Sequence, residues 1–263
     1  MLDAIVLPLS FAVASGGPSM GPIEHLKDFP VVELRRYAVR EERRDEFALY
    51  FESYFPEAFQ QLGSLILGQF LERGNASGFT WLRGFHDMDS RATVNEAFYG
   101  GPLWKEHSST MNDRLLDHTN VLLLHPLDPA RGISVLPAVD PVAEEGGARG
   151  IVVAQIFSVA EGGIDAFARR AEPFFARYRA QGAREAGVLI TLDEPNNFPR
   201  LPFRTDGPYL VWLGILEDAA FLETELAPLF ERSAASLSAA GLLRGEPELV
   251  VLVPTRRSRL RWR

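Results

Sequence analysis

The 263-residue chain has no cysteine. Disulfides, thiolate metal sites and cysteine nucleophiles are therefore excluded, and a reducing, cytoplasmic setting is the expectation. Long apolar runs are missing too. None approaches the ~20 residues needed to cross a bilayer as a helix, so no membrane span is expected. Basic residues are outnumbered, 27 Lys and Arg against 35 Asp and Glu, for a formal net charge of -8. Phosphate backbones are bound mainly by basic surfaces, which makes nucleic acid an unexpected partner. There are only five histidines, none in an HExxH or comparable spacing, so no metal site is expected. No GxGxxG loop, P-loop or GxSxG elbow occurs. Gly100-Gly101-Pro102 is too short and wrongly placed to hold phosphate, and Gly162-Gly163 suits a strand-to-helix turn. No cofactor is expected.

What is present describes a globular protein. Hydrophobic residues make up 46% and charged residues 24% of the chain, too apolar for wholesale disorder. The length accommodates two domains of roughly 100–130 residues, each with its own core. At the N-terminus, Ala4 to Ala14 reads AIVLPLSFAVA, with Ala12-Val13-Ala14 as a conceivable cleavage site. The stretch before it carries Asp3 and no Lys or Arg, whereas a secretory signal normally starts positive. An N-terminal extension, with Met20 as an alternative start, is expected ahead of export.

The chain repeats itself. A strand-like run, Val31 to Tyr37, returns as Ile151 to Phe157, and a helix-like segment follows each. Asp45, Phe47, Ala48, Glu52 and Phe55 recur at one constant offset as Asp165, Phe167, Ala168, Glu172 and Phe175. Phe47, Tyr50, Phe51, Tyr54, Phe55, Ala58 and Phe59 form an apolar stripe at three- and four-residue spacing, as do Phe167, Ala171, Phe174, Phe175 and Tyr178. Such a stripe fits a helix lying on a sheet. Pro56 and Pro173 are expected to bend these helices. Leu65 to Leu71 and Phe79 to Phe85 flank Gly74-Asn75-Ala76-Ser77-Gly78, a hairpin signal. Their counterparts are Gly187 to Leu192 and Tyr209 to Leu216, separated by a longer Pro- and Asn-rich loop. Trp81 and Asp87 align with Trp212 and Asp218; Pro102-Leu103-Trp104 and Pro228-Leu229-Phe230 each suit a helix start. Val121 to Pro126 and Leu249 to Pro254 close the copies as strands.

The order β-α-β-β-α-β is ferredoxin-like, an α+β arrangement with helices on one face of an antiparallel sheet. Each copy leaves its other sheet face bare, and two fused copies can cover it for each other, face to face, as an intrachain pseudo-dimeric α+β barrel. The expected divisions are an extension over 1–28, a first unit over 29–127, a Pro-, Gly- and Ala-rich linker over 128–149, a second unit over 150–254, and a tail over 255–263. That tail carries five arginines and reads as a solvated or contact-making end.

The first copy resembles the NIPSNAP family of the dimeric α+β-barrel superfamily. The resemblance is carried by Glu33-Leu34-Arg35-Arg36-Tyr37, Gly63, Gly68-Gln69-Phe70, Trp81, Arg91, Pro102-Leu103-Trp104, Asn120 and Leu122 to Pro126. The second copy looks like a diverged duplicate. The resemblance implies a ferredoxin-like unit that pairs through its sheet into a barrel, and no fixed catalytic set. Cofactor-free monooxygenases, haem-degrading enzymes, isomerases and dehydratases also occur in the superfamily, so those activities are analogies of fold.

Candidate site residues fall in the first copy. Glu33, Arg35 and Tyr37 alternate and share one strand face, either as a polar pocket floor or as a cross-strand pair beside a core tyrosine. Arg83, on the strand that ends before His86, is a candidate ligand contact; His86 and His107, the latter one turn after Trp104, are candidates for a general base and a ligand anchor, with Tyr37 as a further catalytic candidate. The plainer reading of the two histidines is a polar strand end and a solvated helix face. Trp104 is a candidate ligand contact or a core aromatic. His25, His118 and His125 read as incidental. The second copy has Val153, Gln155 and Phe157 for the strand trio, and Glu217 and Ser233 for the histidines, so any site belongs mainly to the first copy. Three functions remain open: a NIPSNAP-like binder of a small molecule, a protein partner or another copy of itself; a cofactor-independent monooxygenase or isomerase acting on an aromatic or polyketide-like substrate; and an assembly module without a pocket.

Overall fold

A computed structural model of the chain describes residues 24–140 and 144–262. The apolar Ala4–Ala14 stretch, the alternative start at Met20, the His25 side chain and Arg263 lie outside the described residues. The first half runs β1 (Val31–Val39), α1 (Arg44–Tyr54), α2 (Pro56–Gln61), β2 (Leu65–Glu72), β3 (Gly78–Phe85), α3 (Met88–Gly100), α4 (Pro102–Asn112) and β4 (Leu115–Pro126). The second runs β5 (Ile151–Ser158), α5 (Ile164–Ala180), β6 (Arg184–Thr191), β7 (Tyr209–Leu216), α6 (Ala219–Phe221), a π-helical turn over Leu222–Leu226, α7 (Ala227–Ser238) and β8 (Glu248–Pro254). The β-α-β-β-α-β order is present twice.

Within each half the antiparallel strands lie in the order 4-1-3-2 of a ferredoxin-like sheet. The two sheets face each other and also fuse at both edges. Strand β2 pairs with β8 from Phe70↔Pro254 to Glu72↔Leu252, and β4 pairs with β6 from Leu124↔Thr191 to Pro126↔Leu189. The result is one closed barrel of order β1-β3-β2-β8-β5-β7-β6-β4. Closure satisfies edge N–H and C=O groups that would otherwise invite other strands.

Strand alternation then assigns every side chain to one of two layers. Val32 and Leu34 point into the barrel, where they meet Leu82, Leu122, Leu124, Val152, Ala154, Val211 and Leu252 from both halves. Val31, Tyr37 and Val39 point outward and pack under the first-half helices with Phe47, Phe51, Phe55 and Phe59. An equivalent outer core in the second half contains Val153, Phe157, Phe167, Phe175 and Trp212. The two halves share one inner core and keep separate outer ones.

Several elements depart from the sequence expectations for identifiable reasons. Strand β4 begins at Leu115, and its first six residues are partly or fully exposed, so no hydrophobic run marks them. Pro56 opens a separate helix, whereas Pro173 sits inside the continuous α5. The linker is not a loose tether: Ile133 and Val135 enter the inner core, and the Ser134 N–H donates to the Ala186 carbonyl at 2.9 Å. The basic tail likewise inserts Leu260 into that core and packs Trp262 against it, with Arg261 buried as well. Asp87 and Asp218 cap equivalent helices, accepting from Ser90 N at 2.7 Å and Phe221 N at 2.8 Å. Among the described residues no helix is long and apolar enough to cross a membrane.

The seams generate a test of the duplication. Residues 24–140 expressed alone would expose β2 and β4 as unpaired edges and half of the inner core. We expect that fragment to self-associate in size-exclusion chromatography with light scattering; a stable monomer would show the second half to be dispensable for folding.

Candidate functional site

The outward face of β1 carries charge where its neighbours carry hydrocarbon. Register places Glu33 opposite Arg83 and Arg35 opposite Trp81 on β3. From above, the first turn of α3 delivers Arg91. Glu33, Arg35, Arg83, Arg91 and the neighbouring Asn95 are all fully buried. The single carboxylate ties the cluster together. Glu33 Oε2 accepts from Arg35 Nη1 at 2.8 Å and Arg83 Nε at 2.8 Å, and Oε1 accepts from Arg91 Nε at 2.7 Å. Three guanidiniums thus share one carboxylate, and no other acidic side chain forms an ion pair with them among the described residues.

Aromatic faces supply part of the missing compensation. Arg83 Cζ lies 4.9 Å from the Phe85 ring centre, 5.0 Å from Phe59 and 5.1 Å from Trp81, while Arg35 lies 5.6 Å from Trp81. Even so, Arg35 Nη2, Arg83 Nη1, Arg91 Nη2 and the Trp81 indole nitrogen have no hydrogen-bond partner, nor does either amide atom of Asn95. Burial works to raise the Glu33 pKa, but Arg83, Arg35 and Arg91 together hold it well below the ordinary carboxylate range. Burial pulls the Arg91 pKa down despite Glu33, and the like charges of Arg83 and Arg35 add to that effect. The Tyr99 hydroxyl is pushed up, chiefly by burial.

A cavity of about 440 Å³ adjoins this cluster. Tyr37, Phe51, Phe55, Phe59, Trp81, Phe98, Tyr99 and Trp104 make its walls predominantly aromatic, and His118, Leu115 and Leu116 add further lining from β4. The second half also reaches it: Phe198, Arg200 and Leu201, from the segment between β6 and β7, complete the lining. That segment is fastened to the charged cluster. Arg91 Nη1 donates to Asn197 Oδ1 at 2.8 Å and Asn196 Oδ1 at 3.2 Å, and the Arg91 guanidinium lies over the Phe203 ring at 5.6 Å. Phe198 stacks on Tyr99 with ring centres 6.1 Å apart.

The structure divides the sequence-derived candidates. Tyr37 and Trp104 line the cavity, and Glu33, Arg35 and Arg83 form the buried layer next to it. Arg35 Nε donates to the Tyr37 hydroxyl oxygen at 2.8 Å, linking the two groups. His107 is buried outside the lining, hydrogen-bonded through Nδ1 to the Tyr50 hydroxyl at 2.6 Å and stacked on Tyr54 at 4.1 Å. His86 is exposed, stacked on Phe29 at 4.3 Å, with Nδ1 hydrogen-bonded to the Asp28 carbonyl at 2.6 Å. The two histidines therefore have separate surroundings and do not converge on one reacting centre. His118, set aside in the sequence, lies at the cavity instead, its ring 6.3 Å from Tyr37. Among the described residues no three His, Cys, Asp or Glu gather as a metal site. Arg91 is marked in the sequence only as one of the residues that carry the family resemblance; Tyr99 and the Asn196–Leu201 segment have no assigned role there, and the signal for the segment is the length of the second-half loop.

The second half shows what the same scaffold looks like without this site. At the positions of Glu33, Arg35, Arg83 and Arg91 stand Val153, Gln155, Gly214 and Leu222, since Val153 faces Gly214 and Gln155 faces Trp212 in equivalent register. Tyr178, which replaces Ala58, packs on Trp212 at 5.0 Å and Phe230 at 4.6 Å, the counterparts of Trp81 and Trp104. Its hydroxyl donates to Gln155 Oε1 at 3.2 Å and is hydrogen-bonded to Ser233. Charged side chains are replaced by neutral ones, and Tyr178 packs on Trp212 and Phe230 where the first half has the small Ala58.

Comparison with known proteins agrees with this geometry. Residues 32–129 match the NIPSNAP family model. Over those residues the first half is similar to NIPSNAP. In sequence, no curated protein matches the chain significantly. Among solved structures, an anthrone oxidase-like protein superposes with a TM-score of 0.56 at 13% identity, covering 89% of this chain and 95% of the other. A candidate monooxygenase from Lactobacillus acidophilus gives 0.53 at 12% identity, covering 89% and 97%. Another from Fusobacterium nucleatum gives 0.55 at 11%, covering 88% and 94%. At such identities these likenesses show the fold alone, two ferredoxin-like units closed into one α+β barrel.

Glu33 is the shared counter-charge of the buried arginines in the first half. Glu33→Gln would leave three buried guanidiniums without a counter-charge, and we expect a loss of about 3–5 kcal/mol in urea unfolding at neutral pH. Because the folded-state pKa is depressed from 4.5, the Glu33 contribution is complete above that value and is lost as pH falls through the folded-state pKa. Wild-type stability should therefore drop further than that of the variant on strong acidification; parallel pH profiles would remove Glu33 from this role.

Proposed function

We propose that the first half binds one small, flat and largely apolar molecule in the aromatic cavity, while the second half serves as barrel partner and supplies the covering loop. The observation that carries this reading is the contrast between the halves. One encloses about 440 Å³ behind aromatic walls, and the other fills the matching space with Tyr178. A cavity of this size lies within the usual range for small-molecule sites, about 300–1,000 Å³, and its mix of apolar walls with a few convergent polar groups is typical of them. An assembly module without a pocket has no use for such a space.

Turnover of the bound molecule is the second reading, as a cofactor-independent monooxygenase or isomerase of an aromatic or polyketide-like substrate. It is favoured by Tyr37, whose oxygen accepts from Arg35; a hydroxyl backed by a guanidinium is suited to holding an enolate or phenolate oxygen as charge develops. The candidate monooxygenases of similar fold are compatible with it but carry no residue roles across.

Native mass spectrometry of protein purified from its own host tests the binding reading. We expect wild-type protein to retain a small-molecule mass, and Ala58→Tyr, which transfers the second-half plug into the first half, to lose it while remaining folded. Equal retention by both proteins would overturn the cavity as the site.

A further inference from the structure

The charge imbalance beside the cavity identifies the kind of molecule it takes. We infer that the ligand is an aromatic anion, a carboxylate, phenolate or enolate, whose oxyanion sits at the Tyr37 and Trp81 side of the cavity; the inference rests on the binding reading above. Three guanidiniums and one carboxylate, all fully buried, leave an excess of positive charge in a place where unpaired charge is strongly disfavoured. Cation–π contacts offset part of it, yet one Nη of each arginine has no hydrogen-bond partner. A bound anion would supply the missing counter-charge.

The cavity wall has the donors to receive it. The Tyr37 oxygen already accepts from Arg35 Nε, so its own O–H is free to donate to a ligand oxygen. Trp81 also lines the cavity, and its indole N–H has no acceptor. Both rings lie within 6 Å of the Arg35 guanidinium carbon. Neutral donors thus face the ligand while cations stand directly behind them.

The second half argues that this charge is not a requirement of the fold. It builds the same strands, helices and tryptophan with Val153, Gln155, Gly214 and Leu222 in place of the cluster, and it has filled the space in the same step. The cluster stands beside the cavity in one half, and in the other its absence goes with Tyr178 packed on Trp212 and Phe230.

Paired probes of the same shape test the inference: 2-naphthoate and the neutral 2-naphthalenemethanol, titrated calorimetrically into the full chain at low salt. We expect the carboxylate to bind roughly 10- to 100-fold more tightly, the range of a hydrogen bond to a charged group. The preference should shrink in Tyr37→Phe and in Arg83→Met. The latter moves the cluster toward charge balance, so folding should survive. Equal affinity for the two probes, or a preference unchanged in both variants, would overturn the anion inference and leave the cavity reading standing. No binding of either probe, with neither displacing any molecule retained by the wild-type protein, would remove the cavity reading and the inference with it.

Discussion

Between the barrel wall and the first-half helices, one carboxylate holds three guanidiniums out of water. Glu33 bonds to Arg35 from its own strand, Arg83 from the adjacent strand and Arg91 from the helix above, so strand, sheet and helix layer converge on a single side chain. A buried ion cluster of this kind adds little net stability compared with well-packed hydrocarbon, but it fixes geometry, since every partner must reach the same two oxygens. The aromatic cavity takes its position from that constraint. Trp81 and Tyr37 are set by the strands that bear the charges, and Tyr99 by the helix that bears Arg91.

The duplication distributes the requirements of a site between two halves. A lone ferredoxin-like sheet has a bare face and two open edges, and the second copy closes both by completing the barrel. That copy carries valine, glutamine, glycine and leucine where the first carries charge, and Tyr178 where the first has Ala58. It also contributes directly to the site. The loop between β6 and β7, far longer than the first-half turn, crosses to the other unit, bonds to Arg91 through Asn196 and Asn197, and lays Phe198 against Tyr99. The first half alone would have no such cover.

Much of this was legible from residue order. The constant offset between Asp45–Phe55 and Asp165–Phe175 reflects a period that packing on a sheet enforces, and alternation along Val31–Val39 separates barrel-facing from helix-facing side chains before any coordinate is known. Because that alternation is geometric, it placed Glu33, Arg35 and Tyr37 on one face. The surroundings of the histidines are not legible in the same way. An imidazole acts through its neighbours, and those of His86 and His107 are set by loops and helices distant in sequence. The linker and tail are short irregular segments with no period, so nothing local in them shows that Ile133, Val135 and Leu260 enter the barrel core and Trp262 packs against it.

By itself the sequence determined the repeat, the ferredoxin-like order of each copy, the kinship of the first copy with NIPSNAP, and the restriction of polar strand residues to one half. These depend on local periodicity and on residue identity, which are present in the chain whether or not it is folded. Only the tertiary structure decided that the expected barrel closes through β2–β8 and β4–β6 pairing, that Arg83 and Arg91 converge with Arg35 on Glu33, and that a second-half loop reaches a first-half cavity. Each of those depends on contacts between residues dozens to more than a hundred positions apart. No local pattern encodes where such residues meet.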